Sequence, residues 1–417
     1  MEQNERRQLG KSVIWNTLGN IIYLAAQYVL QIMITRMSGN YAAGLLSTAM
    51  TVTNITLSVA NYGMRSFQIS DLERKYSDRT YLRSRWVTVA AAGVGTALFA
   101  CCVSYSAEQR LAIVLYTLIR LSEGYIDVWH GYLQRADRMD LVGRLFGLRG
   151  LVTMAGFGLG LALTGSLNAA LALVAALNWL CVFAADVPPA RRAADFAAAG
   201  GGSVRLLLWE CAPLAVYSFL NSSIGSVVKL FCERVCGTEA FGAFNNVFAP
   251  VQLVQVGAMY VFAPFMMTFA RAWAGRDRRV FYRGLALVGL AAPVLWVCGA
   301  VGAALLGPFF LRVMYGEAIL AYTGLLQPAV IAAVTNLLVS VFCYLLAMMR
   351  GMKGLIAGNL AGIAAAFVVS QPLLAAFGTA GAAWATVASR AVQALVCLAV
   401  LLWQCRRHFA GQDRAGA

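Results

Sequence analysis

Four ionisable side chains fall within one apolar stretch and are the best placed in this sequence to do chemistry: Arg120, Glu123, Asp127 and His130. Their spacings of 3, 4 and 3 residues place them within about 80° of each other on a helix, because each residue advances about 100°. Two interpretations are open. The cluster either neutralises itself, with Arg120 bound to Glu123 and the other two wetted near an interface, or exchanges an ion through Asp127 or His130.

Three further charges interrupt apolar stretches: Glu210, Lys229 and Arg390. Arg390 is the most deeply placed cation, and two roles are open for it. It would pair with a carboxylate such as Asp127 or Glu210, or it would hold a phosphate-bearing solute by bidentate hydrogen bonds. The candidates for ion coupling are Arg120, Glu123, Asp127 and Glu210.

Covalent chemistry has little support in the sequence. The nearest acidic pair, Asp137 and Asp140, lies in a short charged turn typical of a solvated helix end. There is no P-loop, no paired CxxC motif and only two histidines, His130 and His408. We therefore expect no enzyme activity, no cofactor and no metal site.

The composition indicates that most of the chain lies in lipid. Of its 417 residues, 60% are hydrophobic and 12% are charged, against about 25% charged in a soluble domain. Apolar runs long enough to cross a bilayer recur about twelve times with short loops between them, which predicts an all-α integral membrane protein. The net charge of +15 does not predict nucleic-acid binding, because Lys and Arg are spread over these loops.

The basic residues also orient the chain. With the N-terminus inside, 26 of the 33 Lys and Arg residues fall in segments on the cytoplasmic side, as the positive-inside rule requires. We expect a multi-pass protein of the cytoplasmic (inner) membrane with both termini in the cytoplasm.

The chain is predicted to consist of two halves. Residues 188–204 are rich in Pro, Arg and Gly and predict a flexible cytoplasmic linker between six-helix bundles at 1–187 and 205–405, with a cytoplasmic tail at 406–417. Arg36, Gly39 and Gly44 recur 198 residues later as Arg234, Gly237 and Gly242. Six helices per half would relate the bundles by a pseudo-two-fold axis and leave a cleft between them. Arg36, Arg65 and Arg234 lie at span ends and are gate candidates.

Polar side chains form stripes along four spans, two in each half. In span one, Asn16, Asn20 and Gln27 fall on one helical face. Such stripes either join helices by hydrogen bonds or line a water-filled path, and their depth favours the path. The candidates for a substrate cavity are Asn16, Asn20, Gln27, Asn54, Asn61, Asn221, Lys229, Asn245, Gln252, Gln255 and Arg390.

Ile34 to Arg65, with the sequence ITRMSGNYAAGLLSTAMTVTNITLSVANYGMR, resembles the opening of the Wzx-type oligosaccharide flippases. These belong to the multidrug/oligosaccharidyl-lipid/polysaccharide (MOP) exporter superfamily. Arg36, Gly39 and Gly44 occupy the basic helix end, the turn and the start of helix two, and Gly63 also matches. Tyr132 to Gly143 looks like the turn after helix four. The related lipid II flippases carry arginines in their first helices, where this chain has amides.

The resemblance implies two six-helix bundles around a cavity, which flip an undecaprenyl-diphosphate-linked oligosaccharide to the outer leaflet by alternating access. The energy would come from an H⁺ or Na⁺ gradient or from the membrane potential. The implied partners are this lipid-linked solute, membrane lipids and enzymes of polysaccharide assembly. Two alternatives are an ion-coupled multidrug or cation exporter of the same superfamily and a membrane glycosyltransferase or polymerase.

Overall fold

The computed structural model describes the backbone of residues 2–71, 73–196 and 202–413 and, within residues 12–409, the side chains outside 72, 197–201 and 252–264. The chain is helical across these ranges, and no strand occurs in them, which confirms the all-α prediction. Helices are the expected structure for apolar runs in lipid, since they satisfy their own backbone hydrogen bonds.

Residue contacts divide the chain into two units, Met1–Ser222 and Ser223–Ala417. The first contains α1 (Glu2–Asn61), α2 (Met64–Ser70), α3 (Asp78–Cys102), α4 (Ala107–Arg135), α5 (Met139–Thr164), α6 (Leu167–Cys181), α7 (Val187–Ala193) and the first part of α8 (Val204–Cys236). The second contains the rest of α8, α9 (Thr238–Ala274), α10 (Arg278–Tyr315), α11 (Leu326–Met348), α12 (Met352–Phe377) and α13 (Thr379–Asp413). The boundary lies inside α8, and the division at residues 188–204 stays a prediction.

Helix α1 is two spans that meet at Gly39. This glycine has φ 83° and ψ −178°, a conformation essentially restricted to glycine, and the helix breaks there. Beyond the break the chain folds back on the first span. Gln31, before the break, donates from Nε2 to Ala43 O at 3.2 Å and to Ser47 Oγ at 2.9 Å, both of which lie after it. With α1 divided at Gly39 and the short α2 and α7 left aside, the described chain has the twelve long segments that the sequence predicts.

Nine helices of the described residues are long and apolar enough to cross a membrane when α1 is taken as one. Helix α4 is not among them because Arg120, Glu123 and Asp127 lie in its centre. Helix α10 is the clearest lipid-facing helix: Leu305 is 74% exposed and Phe309 64% exposed, which in a membrane places them against acyl chains.

Close helix packing in the first unit depends on glycine. Helix α1 lies against α5 so tightly that a methyl group at Gly19 would fall 1.7 Å from the carbonyl oxygen of Gly143. Small residues allow such backbone approach, which is the main source of helix association in lipid. This contact fixes α5, and with it Arg149, against the first span.

The structure corrects the start of the linker that was predicted from sequence. Residues Val187–Ala193 form α7 and are not a flexible segment, because proline is well tolerated in the first turn of a helix. A short π-helical turn, Val182–Asp186, connects α6 to α7 and leaves Asp186 2% exposed. Residues 197–201 of the linker lie outside the described residues.

The second unit repeats features of the first. Gly237, between α8 and α9, has φ 85° and ψ 164°, close to the values at Gly39. Helices α12 and α13 also pack through glycine, since a methyl group at Gly358 would lie 2.4 Å from the Sγ of Cys397. A short 3₁₀ segment, Glu317–Leu325, precedes α11.

Candidate functional site

The charges of α4 have separate partners. Arg120 and Glu123 form an ion pair at 2.7 Å within the helix, as the self-neutralising interpretation expects. One turn before, the Tyr116 hydroxyl donates to Gln27 Oε1 at 2.8 Å, so this cavity candidate joins α1 to α4. The hydrogen bond between Tyr116 and Gln27 joins the N-terminal half of α4 to the first span.

Asp127 lies between two arginines. Arg85, which is fully buried in α3, contacts its carboxylate at 2.6 Å and also donates to Ala60 O. Arg65, a gate candidate, lies 3.7 Å from the same carboxylate and donates to Gln134 Oε1 at 3.0 Å. Two arginines of the first unit thus neutralise the negative charge of Asp127. Its partner is not Arg390, a pairing that the sequence left open.

His130 is fully buried, which corrects the expectation that water wets it. Its Nε2 lies 2.9 Å from Asp186 Oδ1, and Arg149 donates to Asp186 Oδ2 at 3.1 Å. Arg149, 1% exposed, also donates to Ser122 Oγ and to Asn178 Oδ1, each at 2.9 Å. The result is a buried polar network that joins α4, α5, α6 and the turn before α7.

Sequence reasoning missed the roles of Arg85, Arg149 and Asp186. Both arginines are among the 26 basic residues that the sequence analysis placed on the cytoplasmic side, yet each lies several residues inside a helix and is buried. The available signal was position: Arg149 follows Met139, where α5 starts, by nearly three turns and is flanked by apolar residues and glycines. The orientation of the chain nevertheless rests mainly on the other basic residues and stays a prediction.

Glu210, a coupling candidate, lies in the first two turns of α8 and binds Lys75 at 2.5 Å. The hydrogen bond to this carboxylate raises the pKa of Lys75 above its ordinary value, against a smaller opposing effect of burial. Arg74 next to it pairs with Asp195 at 2.8 Å. These contacts fasten the loop after α2 to the first turns of α8 and to the segment that precedes it.

The polar side chains of the α1 stripe differ in their contacts. Asn20 donates to the backbone oxygen of Asn16 at 2.7 Å and to its Oδ1 at 3.1 Å. Asn54 is exposed, and Asn61 is half-buried with a buried Oδ1 that lacks a hydrogen-bond partner. Some of these amides therefore join or cap helical turns, and others are available to a solute or water.

The stripe of the second half is only partly described. Asn221 is half-buried on α8, and Asn245 on α9 has a buried Nδ2 without a hydrogen-bond partner. The side chains of Gln252 and Gln255 lie outside the described residues. Arg36 and Arg234 are exposed in the last turn before Gly39 and Gly237, and their gate role stays a prediction.

Two cations that lie far apart in the sequence line one cavity of the second unit. This cavity, of about 90 Å³, is bordered by Lys229 from α8, Asn336 from α11, and Thr386 and Arg390 from α13. Phe244 and Phe248 of α9 form an apolar wall with ring centroids 4.3 Å apart. The sequence analysis named Lys229 and Arg390 but not Asn336 or Thr386.

Arg390 is oriented by a chain of buried amides. Its Nη1 donates to Gln393 Oε1 at 2.8 Å, and Gln393 Nε2 donates to Asn359 Oδ1 at 2.6 Å. Gln393 and Asn359 are both fully buried. Gly225 on α8 lies beside the guanidinium, and a methyl group there would be in ordinary van der Waals contact with Arg390 Nη2, at 3.7 Å.

Comparison with known proteins identifies the fold. No protein-family model matches the sequence, and no curated protein sequence matches it. The structure is similar to an inward-facing multidrug resistance MATE family transporter of the MOP superfamily, with TM-score 0.69, 11% identity, and 97% of this chain and 100% of the other covered. The chain has the fold of MOP superfamily transporters.

Two other structures with this fold come from transporters of different kinds. The lipid II flippase MurJ matches with TM-score 0.65 and 9% identity over 95% of this chain and 90% of the other. A MOP superfamily transporter from Pyrococcus furiosus, described as having a binding pocket of reverse polarity, matches with TM-score 0.62 and 11% identity over 96% of each chain. The solute must therefore be inferred from the residues of this chain.

Proposed function

We propose that the chain is a flippase that moves an undecaprenyl-diphosphate-linked oligosaccharide from the cytoplasmic to the outer leaflet of the inner membrane. The main support for this proposal is that Lys229 and Arg390 both line one cavity of the second unit. Two cations near each other repel a cationic solute and attract a phosphate, and a guanidinium binds phosphate oxygens in a bidentate manner.

The amides outside this cavity suit the sugar part of such a solute. Asn54 is exposed and Asn61 is half-buried on the second span of α1. An amide carries both donors and acceptors, and so does a sugar hydroxyl, so the two match without a net charge. A carrier for a bare hydrocarbon drug would not need these groups.

A cation exporter is the alternative, and the acidic residues of the first unit weigh against it. Glu123 is paired with Arg120, Asp127 with Arg85, and Asp186 with Arg149. A carboxylate that is already neutralised is a poor ligand for a cationic drug. The same pairing argues that Glu123 and Asp127 stabilise the bundle and are not ion-coupling groups.

The membrane potential would then supply energy without a coupling ion. A diphosphate that leaves a negative interior is driven outward, and each elementary charge contributes about 2.3 kcal/mol per 100 mV. Coupling to H⁺ or Na⁺ is the alternative source. We further propose that the six-helix bundles at 1–187 and 205–405 alternate access, with the segment 188–204, which begins within α7, connecting them and with both termini in the cytoplasm.

The proposal is tested by deletion of the gene in its host. We expect the lipid-linked oligosaccharide to accumulate in the inner membrane, surface polysaccharide to fall, and tolerance of cationic dyes to stay unchanged. Lipid extraction with mass spectrometry, polysaccharide immunoblots and dye-inhibition assays give these three readouts. Dye hypersensitivity with normal surface polysaccharide would favour the exporter and refute the flippase.

A further inference from the structure

The cavity of the second unit brings hydrogen-bond donors together from three helices. Lys229 provides an ammonium from α8, Asn336 an amide from α11 and Arg390 a guanidinium from α13. The Thr386 hydroxyl donates to Ala382 O at 2.9 Å, so its oxygen can serve the cavity only as an acceptor. Three donors from three directions are suited to a group with several acceptor oxygens.

The positive charges that line this cavity favour the binding of an anion. None of the described residues that line it is acidic, and in the described part of the chain Lys229 forms no ion pair. The nearest acid along α8 is Glu233, which accepts a hydrogen bond from Thr238 at 3.3 Å. Two cations that share a site repel each other, and an anion between them removes that repulsion.

The size of the cavity limits what it binds. At about 90 Å³ it is well below the roughly 300–1,000 Å³ of a site that encloses a drug-sized ligand. It therefore has room for one small group, such as a single phosphate of a larger solute. The apolar wall of Phe244 and Phe248 lowers the local dielectric constant and so strengthens the attraction of the donors for that group.

We propose that this cavity is a phosphate-binding subsite formed by Lys229, Asn336 and Arg390, with Gln393 as the residue that positions Arg390. The phosphate is either a group of the transported lipid, in which case the inference deepens the proposed function, or free inorganic phosphate. The shared chemistry is a tetrahedral oxyanion held by one guanidinium, one ammonium and one amide.

The test is binding of inorganic phosphate and of farnesyl diphosphate to the purified full-length protein in detergent, measured by isothermal titration calorimetry. We expect at least tenfold weaker binding in Lys229→Met and in Arg390→Met. The matched control is Arg312→Met, which removes an exposed arginine of the same unit that pairs with Glu317 and should leave binding unchanged. Thermal melting of each variant establishes that it is folded.

Gln393→Glu provides an independent test in case Lys229→Met or Arg390→Met fails to fold. It preserves the shape of the buried side chain and gives Arg390 a carboxylate partner, so binding of both probes should fall at least tenfold in a folded protein. Binding of both probes, or of farnesyl diphosphate alone, supports the subsite, and the second result assigns the phosphate to the lipid. Absence of binding to the wild type, or unchanged binding in all three cavity variants, would overturn it.

Export of surface polysaccharide by the same variants separates this inference from the proposed function. Phosphate binding that depends on Lys229 and Arg390, together with normal export in the variants, would retain the subsite and refute its part in flipping. Loss of export without any measurable binding would retain the flippase and refute the subsite.

Discussion

Gly39 and Gly237 lie 198 residues apart and have nearly the same backbone conformation, with φ 83° and ψ −178° at the first and φ 85° and ψ 164° at the second. Each follows an exposed arginine by three residues and separates two long helical segments. The internal repeat predicted from sequence therefore has a structural counterpart at the level of single residues.

Replacement of either glycine should destabilise the protein through the backbone alone. A methyl group at Gly39 or Gly237 would meet no atom within 4 Å, so no clash contributes. We expect Gly39→Ala and Gly237→Ala each to cost about 1–3 kcal/mol, because this conformation is strained for any residue with a Cβ. Thermal melting followed by tryptophan fluorescence measures the loss.

The matched controls are Gly95→Ala in α3 and Gly302→Ala in α10. A methyl group at either site also meets no atom within 4 Å, and both glycines are helical. Alanine there should be neutral or should stabilise by up to about 1 kcal/mol. Equal melting temperatures for all four variants would show that Gly39 and Gly237 carry no strain.

The buried pair of Arg149 and Asp186 should contribute strongly to stability. Arg149→Met leaves Asp186 in the bundle with only His130 as its described partner, and we expect a loss of about 3–5 kcal/mol. Arg149→Met combined with Asp186→Asn should recover part of this loss, since the uncompensated charge is gone. Melting temperature and membrane abundance are the readouts.

Arg138→Met is the control for this pair, because Arg138 binds Asp140 at 3.2 Å on the surface at the start of the same helix. It should change stability by about 1 kcal/mol or less. A full loss in the double variant, equal to that of Arg149→Met alone, would mean that packing and not charge pairing explains the effect.

Asp127 and Arg390 should act independently. Asp127→Asn weakens the contact with the fully buried Arg85, so we expect it to lower membrane abundance on its own, at a cost of about 1–3 kcal/mol. Arg390→Gln should leave membrane abundance unchanged, so the double variant should match Asp127→Asn alone. Immunoblots of membranes from the two single variants and the double variant decide this, and restored abundance in the double variant would show that the two residues pair.

The predicted topology is tested by labelling of single cysteines in a variant that lacks the native ten. Arg192→Cys should react with a membrane-impermeant maleimide only after permeabilisation, whereas Ser166→Cys and Glu317→Cys should react in intact cells. All three side chains are exposed in the structure, so accessibility does not limit the reaction. Labelling of Arg192→Cys from outside would reverse the orientation.

Much of the fold was predictable because lipid allows few backbone structures. Apolar run lengths predicted twelve helical segments, and the glycine of the repeat predicted where α1 breaks. The helix at Val187–Ala193 was not predicted, because proline and arginine are also common in linkers. Its conformation depends on contacts that no local pattern reveals.

The candidate site was predictable in part. Ionisable residues within apolar runs identified Lys229 and Arg390, and only the packing of α8 and α13 brings them to one cavity. Arg85 and Arg149 were missed because a basic residue near the end of a predicted span is usually at the cytoplasmic interface. Their burial depends on Asp127 and Asp186, which approach from other helices.

Translocation in proteoliposomes tests most directly whether the chain flips a phosphate-bearing lipid through Lys229 and Arg390. The substrate is a polyprenyl-diphosphate-linked fluorescent saccharide, and an impermeant quencher reports its leaflet. The wild type should move it, Arg390→Lys should retain part of the rate because a point charge still attracts phosphate, and Arg390→Gln should be at least tenfold slower with an unchanged melting temperature. A wild-type rate in Arg390→Gln and Lys229→Met, or transport of a cationic dye without movement of the lipid, would contradict this function.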